Sequence, residues 1–423
     1  MIALRLLVVA VVIGLSGVLA RVHGQASPAS APRTSRPPQR VVTAGQPAPG
    51  GGTFEHFSVE SQPVIAPVSR RGQVAFFATL LRAPASEGLF LASGARITKV
   101  AVEGDRAPGG GTLSGFGKHP IPAINQAGAV AFAAAVSGGK TVEGIFVALR
   151  GGLRTVALAA EPAPGVPSGT LASLDAPALN DRGDVAFLAT VRRGRETVEA
   201  IYLHAGGKLH KVVAQGDPAP AGGSFAAFGP PALNATGLVA FAAVIEGRAV
   251  PGGVFVAEGD RIRMVLGAGD DTPLGGIFAK FSERLALGDT GDLAFIAVLK
   301  DAPAPSAVFV IENGRLRKVA ALGDAAPGGG VFSHFGLWPG LAANGAVAFT
   351  AAVDGGDTTL AVFLATSSGV HRIAGVGDAF PTGGRLASFG LYPMAAVSPV
   401  GAVSFATAPT ATGEGVEGIF VAW

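Results

Sequence analysis

The chain has 423 residues, with 63 Gly, 30 Pro and no Cys, and it is 49% hydrophobic and only 14% charged. That composition excludes a disordered chain, a disulfide framework and thiolate chemistry, and its mix of turn formers and apolar residues favours an all-β protein. The formal charge of +3 does not describe the folded part: five of the 32 basic residues and no acidic residue precede residue 41, leaving 27 basic against 29 acidic residues and no basic stripe for nucleic acid.

The first expected element is a leader. Arg5 precedes the apolar run Leu6 to Ala20, with small residues suited to cleavage near Ala20 and Ala26. This layout predicts a signal peptide over residues 1–26. The run is shorter than the roughly 20 residues of a membrane span, so a retained N-terminal anchor is the second reading and the single expected route to a membrane. Residues 27–38 read as a Pro/Ser-rich linker. The expected location is therefore the periplasm, the cell surface or the medium.

From residue 39 onward one unit recurs. Its core reads RRGQVAFFA, NQAGAVAFAA, NDRGDVAFLA, NATGLVAFAA, GDTGDLAFIA, AANGAVAFTA and SPVGAVSFAT. The glycines are Gly72, Gly128, Gly183, Gly237, Gly291, Gly345 and Gly401, at intervals of 56, 55, 54, 54, 54 and 56 residues. Each copy holds four Val-, Ile-, Phe- and Ala-rich segments bounded by Gly, Asn, Asp or Pro, which predicts four antiparallel strands. Asn or Ser at position i with Gly at i+3 predicts a type I turn before the second strand. In the tripeptide Arg182-Gly183-Asp184 the glycine is the recurrent one of that turn and Arg182 and Asp184 fill its variable slots, so it reads as turn material and not as an adhesion signal. The column Phe76, Phe132, Phe187, Phe241, Phe295, Phe349 and Phe405 predicts sheets stacked face to face, each Phe filling a notch of small residues.

The seventh copy reaches only its third segment, GIFVAW, while Gln39 to Gly50 aligns with the fourth segment of other copies. The fold predicted is a seven-bladed β-propeller of four-stranded blades over 39–423, closed by residues 39–46 completing the last blade. The N-x-x-G-x-x-A-F pattern of NQAGAVAF, NDRGDVAF and NATGLVAF resembles the bacterial exported tandem-repeat family known by that motif. The wider unit is similar to the blades of TolB-type propellers but lacks their Pro-Asp-Gly turn, so the likeness implies the fold and not the partners.

Two sets of polar positions are candidates for chemistry. Asp105, Asp217, Asp270, Asp324 and Asp378, with Glu161 in a deviant copy, form a repeated acidic column. Its even recurrence reads as turn structure, because a ligand site needs one uneven constellation. Uneven positions follow the first-strand F-x-x-F element: Glu60, Lys118, His119, Asp175, Glu283, Arg284, Trp338 and Tyr392, with His56 and His334 inside it. If the first strand is innermost, these residues are the candidates for lining the channel and for binding. No catalytic residue, metal site or cofactor is implied, since no hydrolase, nucleotide or metal motif occurs.

The function expected is a non-catalytic binding or scaffold module, monomeric, for a protein or glycan ligand. An extracytoplasmic enzyme acting on glycans (hydrolase or lyase) and a structural surface or matrix protein are the alternatives, because propellers host all three.

Overall fold

The computed structural model describes residues 37–57, 65–116, 120–150, 152–247, 250–380, 383–410 and 412–423. The expected signal peptide and nearly all of the linker lie outside them. Short runs of β-branched and aromatic residues between glycine turns give hairpins, and no helix occurs among the described residues.

Seven antiparallel sheets result, over 53–102, 112–158, 170–214, 224–267, 277–321, 331–375, and 395–422 joined by 39–43. Within each of the first six, strands neighbour one another in chain order, as in a propeller blade. In five blades the first strand is in two pieces; blade two has Thr112–Gly115 and Ala123–Ile124, both paired with Val130–Ser137. The second pieces of blades two to six and the inner strand of blade seven, Ala395–Val397, touch in succession. The first strands are therefore innermost, around the axis, and in blades three to six the segment between the two pieces leaves the second strand as a bulge on that inner edge.

The turn before each second strand is built alike in all seven blades. The amide of the Gly at i+3 donates to the carbonyl of residue i, from Gly72 to Ser69 through to Gly401 to Ser398. Each of these glycines has positive φ, 84° at Gly183 for example, where a Cβ would be strained. In blade three, Asn180 Oδ1 accepts from the amides of Arg182 (3.1 Å) and Asp184 (2.9 Å). The same side chains also join the blades. Asn125 Nδ2 donates to Asn180 O at 3.1 Å, Asn180 Nδ2 to Asn234 O at 3.0 Å, and Asn234 Nδ2 to Gly288 O at 3.1 Å. The turn asparagine thus shapes its own turn and clasps the next one.

The core lies between blades. Seven apolar clusters each draw on two adjacent blades and cover all seven junctions. In one of them Phe187 of blade three, fully buried, packs with Ala131, Ala133 and Ile145 of blade two. Tyr202 stands where other blades place Phe, stacked on Phe187 with ring centroids 5.9 Å apart. Burial, with a smaller contribution from the Asp217 charge, pushes its hydroxyl up to about 12.

The ring closes through Gln39–Thr43, whose register pairs Arg40 with Phe420 and Val42 with Ile419. The pairing stops at Thr43; Gln46 then folds back so that its Oε1 accepts from Thr43 N at 2.8 Å. Val42, Ile419 and Val421 share a cluster with Phe54, Phe76 and Phe90 of blade one. Replacing Phe187 by Ala should destabilise the protein by about 3–5 kcal/mol in denaturant titration, as for other buried aromatics. Deleting residues 39–43 should open the junction between blades seven and one and lower the melting temperature sharply; an unchanged melt would contradict the closure.

Candidate binding site in the central channel

The repeated carboxylates are engaged locally. Each accepts from the backbone amide three residues earlier: Val102 to Asp105 (3.0 Å), Leu158 to Glu161 (3.1 Å), Ala214 to Asp217 (2.8 Å), Gly267 to Asp270 (2.7 Å), Ala321 to Asp324 (2.8 Å) and Gly375 to Asp378 (2.8 Å). Four also meet a cation of the fourth strand, Lys99, Lys211, Lys318 or Arg372. These residues finish the outer strand by satisfying an amide at its end.

A second acidic column emerges only in the folded chain. At the start of the third strand, Glu87, Glu143, Glu199 and Glu417 each reach into the next blade. They accept from Phe116 N (2.7 Å), Leu174 N (2.6 Å), Phe228 N (3.1 Å) and Phe57 N (2.8 Å). The signal was there: the slot before the G-I-F-type segment is Glu in these four copies and Gly252, Ser306 and Leu360 in the others. His56 belongs to this clip, its Nδ1 2.9 Å from Glu417 Oε2 at the junction of blades seven and one. His334 shares the slot of His56 in blade six and, like it, is exposed.

Of the uneven residues, Glu60, Lys118 and His119 lie outside the described residues. The others stand in the inward bulges. Asp175 begins that of blade three, with Asp175 N donating to Leu188 O at 2.8 Å before the chain leaves the second strand. Its Oδ1 accepts from Ala176 N at 2.6 Å. Glu283 and Arg284 occupy the bulge of blade five, Trp338 that of blade six and Tyr392 that of blade seven. Close approach between bulges demands glycine twice. A Cβ on Gly229 would lie 1.9 Å from Glu283 O of the next bulge, and one on Gly336 would lie 2.0 Å from Thr350 Oγ1 of its own blade and 3.1 Å from Pro393 O of the next bulge.

The structure joins three of these residues. The Arg284 guanidinium carbon lies 5.2 Å from the centre of the Trp338 ring, a cation–π contact. Arg284 Nε is enclosed without a hydrogen-bond partner. Burial holds this guanidinium below its ordinary pKa, while the Asp175 charge acts in the opposite direction. Glu283 points to solvent, and Trp338 and Tyr392 are half-buried. Trp338 and Tyr392 sit in matching segments, Gly336 to Pro339 and Gly390 to Pro393, whose leucines are exposed: Leu337 by 43% and Leu391 by 75%. The second strand of blade six is tied to the bulge of blade seven by Thr350 Oγ1 donating to Pro393 O at 2.8 Å. Blades six and seven therefore contribute aromatic and apolar side chains here, and blades three and five contribute Asp175 and Arg284.

Toward the other end, the turns enclose a channel cavity of about 210 Å³ lined by Ser69, Asn125, Asn180, Asp181, Asp289 and Pro399 among others. Its carboxylates are spoken for: Asp181 accepts from Gln126 N at 2.8 Å and Asp289 from Ala235 N at 2.9 Å. Asp184 of the Arg-Gly-Asp tripeptide is 8% exposed and bonded to Arg182 and Asn180. Among the described residues no group of three or more His, Cys, Asp or Glu is placed to hold a metal ion.

Residues 39–253 and 251–421 each match the model of a family of unknown function, DUF7453. The chain belongs to that family. No curated protein sequence matches it. Among solved structures, this DUF7453 chain is similar to an oligogalacturonate lyase in complex with manganese, at 11% identity over 91% of this chain and 96% of that one, with a TM-score of 0.51. It is also similar to an oligogalacturonate lyase from Vibrio parahaemolyticus, at 10% identity over 86% and 89% with a TM-score of 0.47. A third similar structure is the Pyrococcus horikoshii acylaminoacyl peptidase, at 11% identity over 85% and 51% with a TM-score of 0.48. At such identities the likeness is one of fold. For the inter-blade clip, Glu143→Ala should strand the buried Leu174 amide and cost about 1–3 kcal/mol, read by denaturant titration.

Proposed function

We propose that this DUF7453 propeller is an exported, non-catalytic binding module that takes a peptide or glycan ligand at the Arg284–Trp338 cluster of its channel. The carrying observation is the enclosed Arg284 Nε, a donor without a partner, beside the Trp338 face. A buried donor left unmade costs stability, and an aromatic face beside a fixed guanidinium is recognition chemistry. The cluster also stands where the seven copies differ, which is what a single ligand on a pseudo-sevenfold ring requires. The non-catalytic part is supported by the repeated carboxylates, whose oxygens serve backbone amides and neighbouring cations. The leader layout of residues 1–26 and the N-x-x-G-x-x-A-F repeat support export.

A glycan and peptide array followed by Trp fluorescence titration tests the site. Trp338→Ala and Arg284→Met should each weaken binding by about tenfold or more at an unchanged melting temperature. Turnover of a glycan, abolished by Asp175→Asn, would replace this reading with the enzymatic one. Cell fractionation with N-terminal sequencing should find a mature chain beginning near Ser27 outside the cytoplasm; a full-length cytoplasmic chain would refute export.

A further inference from the structure

We propose that the groove between blades two and three is a second binding site, one that takes a small carboxylate ligand with an apolar body. The groove has a volume of about 590 Å³ and is lined by Ala129, Val147, Leu149, Leu153, Arg154 and His204, with the turn around Asp184 and the Gly206–Gly207 hairpin at its edge. That volume suits a small molecule.

His204 is the feature that structure alone does not require. It pairs with Val185 in the sheet register. The residues at the matching register position are Ala92, Ala148, Ala257, Ala365 and Ala422, with Ile311 in blade five. The fold therefore accepts a small apolar residue here. Blade three instead buries an imidazole, 8% exposed, whose Nδ1 is enclosed and finds no hydrogen-bond partner outside its own residue. An alanine would avoid that cost.

The charges select the ligand. Asp184 is bonded to Asn180 Nδ2 (3.0 Å) and Arg182 Nε (2.8 Å), and Asp181 to Gln126 N. Arg182 spends its fork on Asp184 and on Thr236 O. Arg154 makes one bond, Nη2 to Gly183 O at 3.2 Å, and is otherwise exposed along the groove. Burial and the Arg154 charge hold the His204 imidazole below its ordinary pKa, against opposing contributions from its own backbone carbonyl and Asp184, with His210 adding a lowering effect. Of the two guanidiniums lining the groove, Arg154 alone stands outside an ion pair, Asp181 is engaged by the Gln126 amide, and the His204 imidazole lies beside them above an apolar floor. A guanidinium fork binds a carboxylate in two parallel bonds, the imidazole serves a second polar group, and Val147, Leu149 and Leu153 take the body.

Calorimetry and saturation-transfer NMR on the full chain, with sodium butyrate and sodium benzoate as probes, test the site. Both probes should bind, and Arg154→Gln and His204→Ala should each weaken binding by about tenfold or more. His204→Ala should keep the melting temperature or raise it, since alanine is the residue of five other blades. In histidine-labelled protein the His204 ring signals should move on adding either probe. Absence of binding, affinity unchanged in both variants, or inorganic phosphate binding as tightly as butyrate would each overturn the proposal. So would a melting temperature lowered by His204→Ala without loss of binding, which would make the imidazole a structural residue.

Discussion

The architecture depends on one contact repeated around a circle: the aromatic face of each sheet buried against the small-residue face of its neighbour. No blade has a core of its own. Phe187 needs Ala131 and Ala133 from the preceding blade, and Phe76 needs Ala402 and Ala406 across the closing junction. Burial of each such ring is worth roughly 1.5–3 kcal/mol, and it exists only while both blades are present. Closure follows from this, because an open array would leave an apolar sheet face in water at each end. Gln39–Thr43 supplies the missing outer strand, while Trp423 covers the Gly72 turn closely enough that a Cβ there would lie 2.9 Å from its ring.

Around that wedge the repeated polar residues complete backbone hydrogen bonds that a tightly packed ring would leave unmade. The asparagine shapes a turn and clasps the next, the aspartate satisfies the end of the outer strand, and the glutamate reaches across to a neighbouring amide. Three of the seven junctions lack the glutamate, those led by Gly252, Ser306 and Leu360. They precede blades five, six and seven, the blades that carry Arg284, Trp338 and Tyr392. Where the common clip is relaxed, the blades meet by other contacts, Arg284 over Trp338 and Thr350 to Pro393. The departure from sevenfold repetition and the candidate ligand chemistry thus coincide in one sector.

Regularity separates structure from recognition in this molecule. The polar side chains that recur from blade to blade, the asparagine, the aspartate and the glutamate, have their bonds met within the ring. A side chain present once, such as Arg284 or His204, has no repeated partner, and each leaves a buried nitrogen without a bond to another residue. Both candidate sites stand at such unrepeated positions.

Blade number, strand content, the turn glycines and the closing strand were legible in the sequence, because they follow from local periodicity and from a unit that recurs at nearly constant spacing. The positions free to vary were legible too, since Asp175, Arg284, Trp338 and Tyr392 break an otherwise uniform column. Which of them meet was not legible. Arg284 and Trp338 lie 54 residues apart in the chain and come together only because the inward bulges of successive blades converge on the axis. His56 shows the converse, drawn to Glu417 at the far end of the chain by closure. The role of Glu143 and the isolation of His204 were likewise decided by the junction between sheets. One blade's sequence specifies its hairpins through its own hydrogen bonds, but the chemistry of the junctions belongs to pairs of blades and exists only once the ring is closed.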